Sequence, residues 1–342
     1  MDAIESFIVG LPKVELHVHL VGSALPGTVA ALAARRPGSP VPSDPDLLAD
    51  YFSFRDFAHF IEVYATVNDL LTDEEDFRLL THDLGRELAR QHVRYAEVTV
   101  TPAMHMRRGV PVLAVLEGIE EGRREVAEQF GVQLRWCFDI PGEFGVDAGL
   151  ETARVALTHR PDALVSFGLG GPEVGVPRAQ FRDSFLIARV AGLHSVPHAG
   201  ETTGPESVWS ALYDLGAERI GHGTSAVADP GLVGYLRDHR IALEVCPTSN
   251  LRTGVVTGLD SHPVRQMLDE HLLVTINSDD PPMFGTDLTA EYVAVARLLD
   301  LSTGQIAALA RNGVEASFAD APTKARVTAE IDRYARAHRA PA

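Results

Sequence analysis

Residues 194–245 have the sequence HSVPHAGETTGPESVWSALYDLGAERIGHGTSAVADPGLVGYLRDHRIALEV, and this stretch shows the pattern that decides the fold. Three short apolar runs are separated by two segments that each have the length of one helix. A strand followed by a helix and then another strand is typical of a parallel sheet. The three runs are residues 194–198, 219–221 and 241–245, and the two helical segments are residues 205–215 and 229–239.

The same alternation extends through the rest of the chain. Several runs are continuously apolar, as strands covered by helices on both faces are. Eight such units close a barrel, so we predict a (β/α)8 TIM barrel that forms a single domain over residues 1–342. An open doubly wound sheet is the alternative, but its G-x-G-x-x-G fingerprint does not follow the first run. The other five runs are residues 14–20, 94–100, 134–140, 163–169 and 272–276, and the other helical segments are 109–130, 147–159, 178–191 and 262–270.

The interval between the first two runs is too long for one crossover helix. It contains a Pro/Ser-rich loop at 37–45, an aromatic helix candidate at 53–68, and a helix that begins at residues 73–75. Insertions after barrel strands lie over the active-site face, so this one is a candidate lid. Its aromatic residues could equally pack against the barrel; they are Phe54, Phe57, Phe60 and Tyr64. Two helices without catalytic residues are expected from residue 302 onward.

Composition excludes several classes of protein. The chain carries 47 acidic and 30 basic residues, a formal net charge of −17, which repels phosphate backbones and argues against nucleic-acid binding. No apolar run has the length of a membrane span, and the first residues lack a signal-peptide pattern. The only two cysteines, Cys137 and Cys246, lie in apolar runs, which is typical of a reducing compartment. We therefore expect a cytoplasmic protein.

Polar residues gather directly after the predicted strands, where barrel enzymes place their chemistry. His17 and His19 are two apart on one strand, so both imidazoles can reach one metal ion. His198 ends the fifth run. Asp279 and Asp280 follow the eighth run, and adjacent carboxylates repel unless a cation lies near them. Each cluster taken alone has a plainer interpretation, as core histidines or as solvated acids at a turn.

Together the clusters are more specific. Three histidines and one aspartate suit Zn²⁺, and Fe²⁺ or Co²⁺ less well. Glu201 and His222 remain unligated, as proton transfer to and from an activated water requires. Taken singly, Glu201 could instead complement a helix dipole, and His222 could be an incidental residue of a glycine-rich turn.

The scarcity of lysine limits the number of metals. Binuclear barrel hydrolases often bridge two metals with a carboxylated lysine at a central strand. The chain has only Lys13 and Lys324, and neither follows a predicted strand. We therefore expect a mononuclear site. The cysteine ligands of a cytidine-deaminase site are also missing, because residues 246–249 read CPTS.

Five motifs carry a family resemblance. They are LPKVELHVHL at 11–20, HAGE at 198–201, RIGHGT at 219–224, EVCPTSN at 244–250 and NSDDP at 277–281. In this order and spacing the chain resembles the adenosine deaminase family of the amidohydrolase superfamily. The resemblance implies a (β/α)8 barrel with one zinc ion per chain, bound by His17, His19, His198 and Asp279.

The same resemblance implies roles for four further residues around a purine nucleoside and a water molecule. Glu201 would protonate the purine N1, and His222 would orient the zinc-bound water and help to deprotonate it. Asp280 would hydrogen-bond N7, and the backbone N–H of Gly171 would bond N3. The implied reaction converts a 6-aminopurine to a 6-oxopurine and ammonia.

One position departs from the pattern of adenosine deaminases. Their H-x-H-L motif is commonly followed by an acid that bonds the ribose 5′-hydroxyl, whereas this chain has Val21. An unpartnered hydroxyl there would cost about 1–3 kcal/mol, so an apolar 5′ substituent is favoured. The chain is similar here to the aminodeoxyfutalosine deaminase branch, which acts in menaquinone biosynthesis on an adenine nucleoside with a 5′-linked carboxyaryl group. Further similarity lies in DYFSFRDFAHF at 50–60, RWCFDIPGE at 135–143 and SFGLGGPE at 166–173.

We therefore predict deamination of 6-aminodeoxyfutalosine. Phe54 and Phe57 are candidate contacts for the aryl ring, and Arg55 or Arg178 for its carboxylate. Adenosine, or another adenine derivative, is the alternative substrate and would need the same catalytic residues. Ester or amide hydrolysis on the same barrel is a more distant alternative. The sequence indicates no oligomeric state.

Overall fold

The computed structural model describes residues 2–338. Eight strands form one parallel sheet in chain order, so that each strand pairs with the next. This is the predicted (β/α)8 barrel. The strands are β1 (Lys13–His19), β2 (Val93–Val100), β3 (Gln133–Pro141), β4 (Leu164–Gly170), β5 (His194–Ala199), β6 (Arg219–His222), β7 (Ala242–Val245) and β8 (Val274–Ile276).

All eight predicted strands are confirmed to within about two residues at each end, a margin typical of strand ends. Every residue of β6, β7 and β8 is buried. Helices cover one face of these strands and the barrel interior covers the other, so their sequences do not alternate between apolar and polar residues. Their buried polar residues are Arg219, His222, Glu244 and Thr275.

Seventeen helices are present in residues 2–338, and most of them lie between successive strands. The predicted crossover helices are confirmed with small shifts of their ends. They are α1 (Ala3–Gly10), α2 (Pro26–Ala34), α3 (Pro45–Tyr51), α4 (Phe57–Asn68), α5 (Glu74–Arg90), α6 (Pro102–Met106), α7 (Val112–Phe130), α8 (Gly145–Thr158), α9 (Arg182–Val190), α10 (Pro205–Asp214), α11 (Pro230–Asp238), α12 (Pro247–Arg252), α13 (Val264–Asp269), α14 (Pro281–Phe284), α15 (Leu288–Leu299), α16 (Thr303–Ala316) and α17 (Ala321–Ala337). None of them combines the length and the apolar character that a membrane crossing requires.

The insertion after β1 differs in detail from the prediction. The aromatic helix begins at Phe57 rather than at residue 53, because the Asp56 side chain accepts the His59 N–H at 2.8 Å and caps it there. A separate helix, α3, begins directly after the Pro/Ser-rich loop, with Asp44 as its cap and Pro45 in its first turn. The two helices expected from residue 302 onward are α16 and α17.

The seam between β8 and β1 closes the barrel. The Asp279 N–H donates to the His17 carbonyl at 2.9 Å, and the His19 N–H donates to the Asp279 carbonyl at 3.0 Å. Val18 and Asp279 form a parallel bridge. The first and last strands therefore meet at the residues that the sequence singles out as metal ligands. The single-domain prediction includes Met1 and residues 339–342, which lie outside the described residues.

Candidate metal centre and active site

His17 is held by a buried chain of charged side chains. Its Nδ1 lies 2.9 Å from Glu244 Oε2, and Glu244 Oε1 accepts from Arg219 Nε at 2.5 Å. Burial acts to raise the pKa of Glu244, but the Arg219 charge and the His17 hydrogen bond hold it below its usual value. An ionised Glu244 only accepts hydrogen bonds, so His17 donates its Nδ1–H to Glu244, and Nε2 is left as the ring atom that can bind a metal ion.

The four predicted ligands converge at the carboxyl ends of β1, β5 and β8. Asp279 Oδ1 lies 3.5 Å from His17 Nε2 and 3.3 Å from His19 Nε2. The rings of His17 and His198 are 4.5 Å apart between centroids. Ligand atoms of His17, His19 and His198 lie within 4.8 Å of one another, and so do those of His17, His222 and Asp279. These residues therefore form a possible metal site.

The chemistry of this cluster fits a divalent metal ion. The Nε2 atom of His17 is buried and has no hydrogen-bond partner. Burial lowers the pKa of His19 to about 4 and that of His198 well below its usual value. Both imidazoles are therefore neutral at pH 7, the form in which histidine binds a metal. Lys13 begins β1 at the opposite end of the barrel, where its Nζ donates to the Ile8 and Leu11 carbonyls, and Lys324 lies on α17.

Glu201 and His222 lie beside this cluster. His222 Nε2 is 3.7 Å from Glu201 Oε2 and 3.8 Å from Asp279 Oδ2. Burial raises the pKa of Glu201 well above its usual value, and the negative charges of Asp279 and Glu173 add to this effect. The Glu201 carboxyl can therefore hold a proton near neutral pH. His222 and Asp279 have positive φ angles of 60° and 63°, which for residues other than glycine costs about 1–3 kcal/mol each.

A cleft of about 620 Å³ opens above these residues. One wall is largely apolar and comes from the insertion and from α6. The other lining residues are largely polar. The first wall consists of Phe57, Phe60, Ile61, Tyr64 and Met104; the rest of the lining includes Thr101, Asp139, Glu143, Gly171, Ser249 and Asp280 together with the candidate metal cluster, Glu201 and His222. The insertion thus covers the active-site face, as predicted.

The family model described as adenosine deaminase matches residues 12–334. The chain belongs to the adenosine deaminase family. The match covers the whole barrel and all of the clustered residues.

Several relatives make the assignment within the adenosine deaminase family more specific. A protein of Streptomyces avermitilis named aminodeoxyfutalosine deaminase is 61% identical over 99% of this chain and 95% of its own length. A Streptomyces coelicolor protein of the same name is 59% identical over 97% of this chain and 86% of its own. Among solved structures, an adenine deaminase from Arthrobacter aurescens is 31% identical, with a TM-score of 0.92 over 96% of this chain and 100% of its own.

Asp280, in the family motif at the end of β8, lines the cleft and is only 3% exposed. Its Oδ1 is buried without a hydrogen-bond partner, and burial followed by the charge of Asp279 raises its pKa well above the usual value. The main chain at Gly22 lies directly against it, since a Cβ atom there would be 1.6 Å from Asp280 Oδ1. Gly22 therefore leaves the space that the Asp280 carboxyl occupies.

The Gly22→Ala variant should have a kcat/KM at least about tenfold lower, equivalent to about 1.4 kcal/mol. The added methyl group displaces the Asp280 carboxyl from the cleft. Steady-state kinetics and metal analysis test this, and the metal content should stay unchanged. Gly27→Ala is the matched control, because a Cβ at Gly27 would meet nothing within 4 Å. An unaltered kcat/KM in Gly22→Ala would contradict the role given to this contact.

Glu173 fixes the loop that carries Glu201. Burial acts to raise the pKa of Glu173, but hydrogen bonds from the loop hold it below its usual 4.5. The carboxylate therefore stays ionised and gathers four consecutive backbone N–H groups. The donors are the N–H groups of Gly200 (2.7 Å), Glu201 (2.8 Å), Thr202 (2.7 Å) and Thr203 (3.2 Å) and the hydroxyl of Ser207 (2.6 Å).

The Glu173→Gln variant should lower the free energy of unfolding by about 3 kcal/mol, because hydrogen bonds to a charged group are worth about 1.5–3 kcal/mol each. The folded pKa is depressed, so this stability is fully present above pH 4.5 and is lost as the pH falls through the folded pKa. Urea unfolding of both proteins between pH 7 and pH 3 tests this. The difference in the free energy of unfolding between the wild type and Glu173→Gln should become smaller below pH 4.5. A difference that stays constant over this pH range would contradict the prediction.

The structure does not bring every predicted substrate contact into the cleft. Phe57 and Gly171 line it, whereas Val21 is buried and does not line it. Phe54 packs on Phe60, with ring centroids 5.3 Å apart, and does not line the cleft.

Neither predicted arginine lines the cleft either. Arg55 is exposed, and Arg178 is buried and donates to the Pro172 carbonyl at 3.0 Å. Of the residues described, 2–338, no arginine or lysine lines the cleft.

Three supporting residues, Glu173, Glu244 and Gly22, were not assigned roles from the sequence. Glu244 could have been found as an acid within an otherwise apolar strand, and Glu173 as an acid directly after a Gly-Gly-Pro strand end. Nothing in the sequence indicates that Gly22 contacts Asp280, because the two are 258 positions apart.

Proposed function

We propose that this protein is a zinc-dependent hydrolytic deaminase that acts on 6-aminodeoxyfutalosine. The observation that carries the proposal is the 61% identity to the Streptomyces avermitilis aminodeoxyfutalosine deaminase over 99% of the chain. Identity this high over nearly the whole chain means that the similarity extends beyond the motifs that all deaminases of the family need, to the rest of the cleft and its surroundings. The reaction adds water to the 6-aminopurine and releases ammonia, leaving the 6-oxopurine.

His17, His19, His198 and Asp279 are the residues that would hold the zinc ion. A zinc ion bound there would lower the pKa of a bound water molecule toward neutrality. A set of three histidine nitrogens and one carboxylate suits zinc better than Mg²⁺ or Ca²⁺, which prefer oxygen ligands.

Glu201 is proposed to give its proton to N1 of the purine. Water adds to C6 of an aromatic ring at a high energetic cost unless N1 gains a proton as the tetrahedral centre forms. The raised pKa of Glu201 supports this role, because it favours the protonated form of the carboxyl. His222, 3.7 Å from Glu201, lies where it can orient the attacking water.

Asp280 and Gly171 are proposed to orient the purine ring. N7 is a hydrogen-bond acceptor, and the raised pKa of Asp280 supports a neutral carboxyl that donates to it. Gly171 has a φ of 77° and lines the cleft, so its backbone can approach the ring edge closely. The apolar wall of Phe57, Phe60 and Ile61 is the natural position for the aryl group.

The test compares turnover of 6-aminodeoxyfutalosine, adenosine and adenine by the loss of the aminopurine absorbance. We expect the highest kcat/KM with 6-aminodeoxyfutalosine. Adenine is included because a Cupriavidus necator protein named adenine deaminase is 39% identical over 94% of this chain and 92% of its own length. A higher kcat/KM with adenosine or adenine would overturn the substrate assignment. A cytoplasmic location remains a prediction from the sequence.

A further inference from the structure

A chain of three buried hydrogen bonds leads from the main chain to His222. The Val264 N–H donates to His262 Nδ1 at 3.0 Å. His262 Nε2 lies 3.2 Å from Asn250 Oδ1, and Asn250 Nδ2 lies 3.2 Å from His222 Nδ1. None of the three side chains is more than 4% exposed, so bulk water does not compete for these bonds.

The donor and acceptor of each hydrogen bond in this series follow from the first bond, which the Val264 N–H donates. A backbone N–H can only donate, so His262 Nδ1 must be an acceptor. Burial lowers the pKa of His262 to about 4, and the neutral ring therefore carries its hydrogen on Nε2. That hydrogen points at the oxygen of Asn250, which leaves the Asn250 NH₂ group to face His222. This group donates to Nδ1 of His222.

We propose that Asn250 and His262 are positioning residues that hold His222 in the tautomer with its hydrogen on Nε2. This inference deepens the proposed function, on which it rests. The Nε2–H group then faces Glu201 and Asp279, 3.7 Å and 3.8 Å away. In the resting enzyme His222 is accordingly a hydrogen-bond donor that orients the attacking water. This tautomer agrees with the orienting role that the family resemblance implies for His222, but not with the implied help in deprotonating the water.

The Asn250→Asp variant tests the direction of the bonds. Aspartate has nearly the same shape, but its carboxylate accepts from Nδ1–H and favours the opposite tautomer. We expect kcat to fall by roughly 10–100-fold, with KM changed by less than about twofold. Asn312→Asp is the matched control, because Asn312 donates to the Val274 carbonyl outside this chain of bonds. A kcat for Asn250→Asp equal to that of the control would overturn the proposal.

Two substitutions of His262 separate donation from packing. The amide of His262→Gln can still donate to Asn250 Oδ1, so this variant should keep kcat within about threefold of the wild type. His262→Leu fills similar space without a donor and should lose roughly tenfold or more in kcat. Equal kcat values for the two variants would show that only packing matters.

A measurement without substrate keeps this proposal separate from the proposed function. In ¹⁵N-histidine-labelled holoenzyme, long-range ¹H–¹⁵N spectra distinguish protonated from unprotonated ring nitrogens, and the His222→Gln variant identifies the His222 signals. Nδ1 of His222 should be unprotonated in the wild type and protonated in Asn250→Asp. A protonated Nδ1 in the wild type would refute the tautomer assignment, whichever purine the enzyme prefers.

Discussion

The Glu201→Gln variant should lose about 10²–10⁴-fold in kcat, the range that a positioned general acid contributes. Glutamine keeps the shape and the hydrogen-bonding reach of the side chain but has no carboxyl proton to give to N1. The KM for the nucleoside should change little, because the ring contacts proposed for Asp280 and Gly171 are kept. Stopped-flow and steady-state absorbance measurements on the holoenzyme give both parameters.

Metal content and unfolding midpoint should be unchanged in Glu201→Gln. Glu206→Gln is the matched control, since Glu206 is exposed at the start of α10 on the same side of the barrel. A different hydrolytic reaction on this site would have no need of a proton donor at a ring nitrogen. Retention of more than about a tenth of wild-type kcat would therefore contradict the deaminase mechanism, given the 10²-fold minimum expected.

The Asp279→Ala variant should lose at least about 10³-fold in kcat/KM, equivalent to about 4 kcal/mol of transition-state stabilisation. Asp279 is the carboxylate that lies within 3.5 Å of both His17 and His19. Without it the three imidazoles lack the negative charge that completes the site. Elemental analysis should find well below one metal ion per chain, and added Zn²⁺ should restore little activity.

Removing the metal from the wild type with a chelator provides the companion experiment. Activity should vanish and return when Zn²⁺ is added back, which distinguishes loss of metal from loss of fold. Asp269→Ala is the control substitution, because Asp269 is exposed at the end of α13. If Asp279→Ala purified with a full metal ion and wild-type kcat/KM, the proposed ligand set would be wrong.

The barrel could be predicted from the sequence because its signal is local. In parallel strands covered on both faces, burial makes runs such as residues 272–276 largely apolar, and each run is followed by a segment long enough for a helix. The separate helix α3 was missed because Asp44 and Pro45, which begin it, look like part of the preceding loop. Capping residues are difficult to assign from sequence, because the same side-chain hydrogen bonds favour both turns and the first turn of a helix.

The candidate site was predictable in part for a geometric reason. Residues at the carboxyl ends of parallel barrel strands share one rim, so His17, His198 and Asp279 could be brought together without knowing any loop. The supporting residues depend on loop paths that leave no local signal. Glu173 reaches across to the N–H groups of the β5 loop, and His262 reaches Asn250 from the segment before α13.

The placement of Asp279 at the junction of β8 and β1 has a consequence for biosynthesis. The main chain of Asp279 hydrogen-bonds to β1, the first strand to be synthesised, directly after β8, the last. Its side chain lies beside the histidines of β1. A nascent chain that has been synthesised only as far as Ile276 therefore contains the histidines of the proposed ligand set but not its aspartate. With the proposed ligand set, the four-ligand site is complete only once the final strand has formed, and a metal ion bound there would link the first and last strands of the barrel.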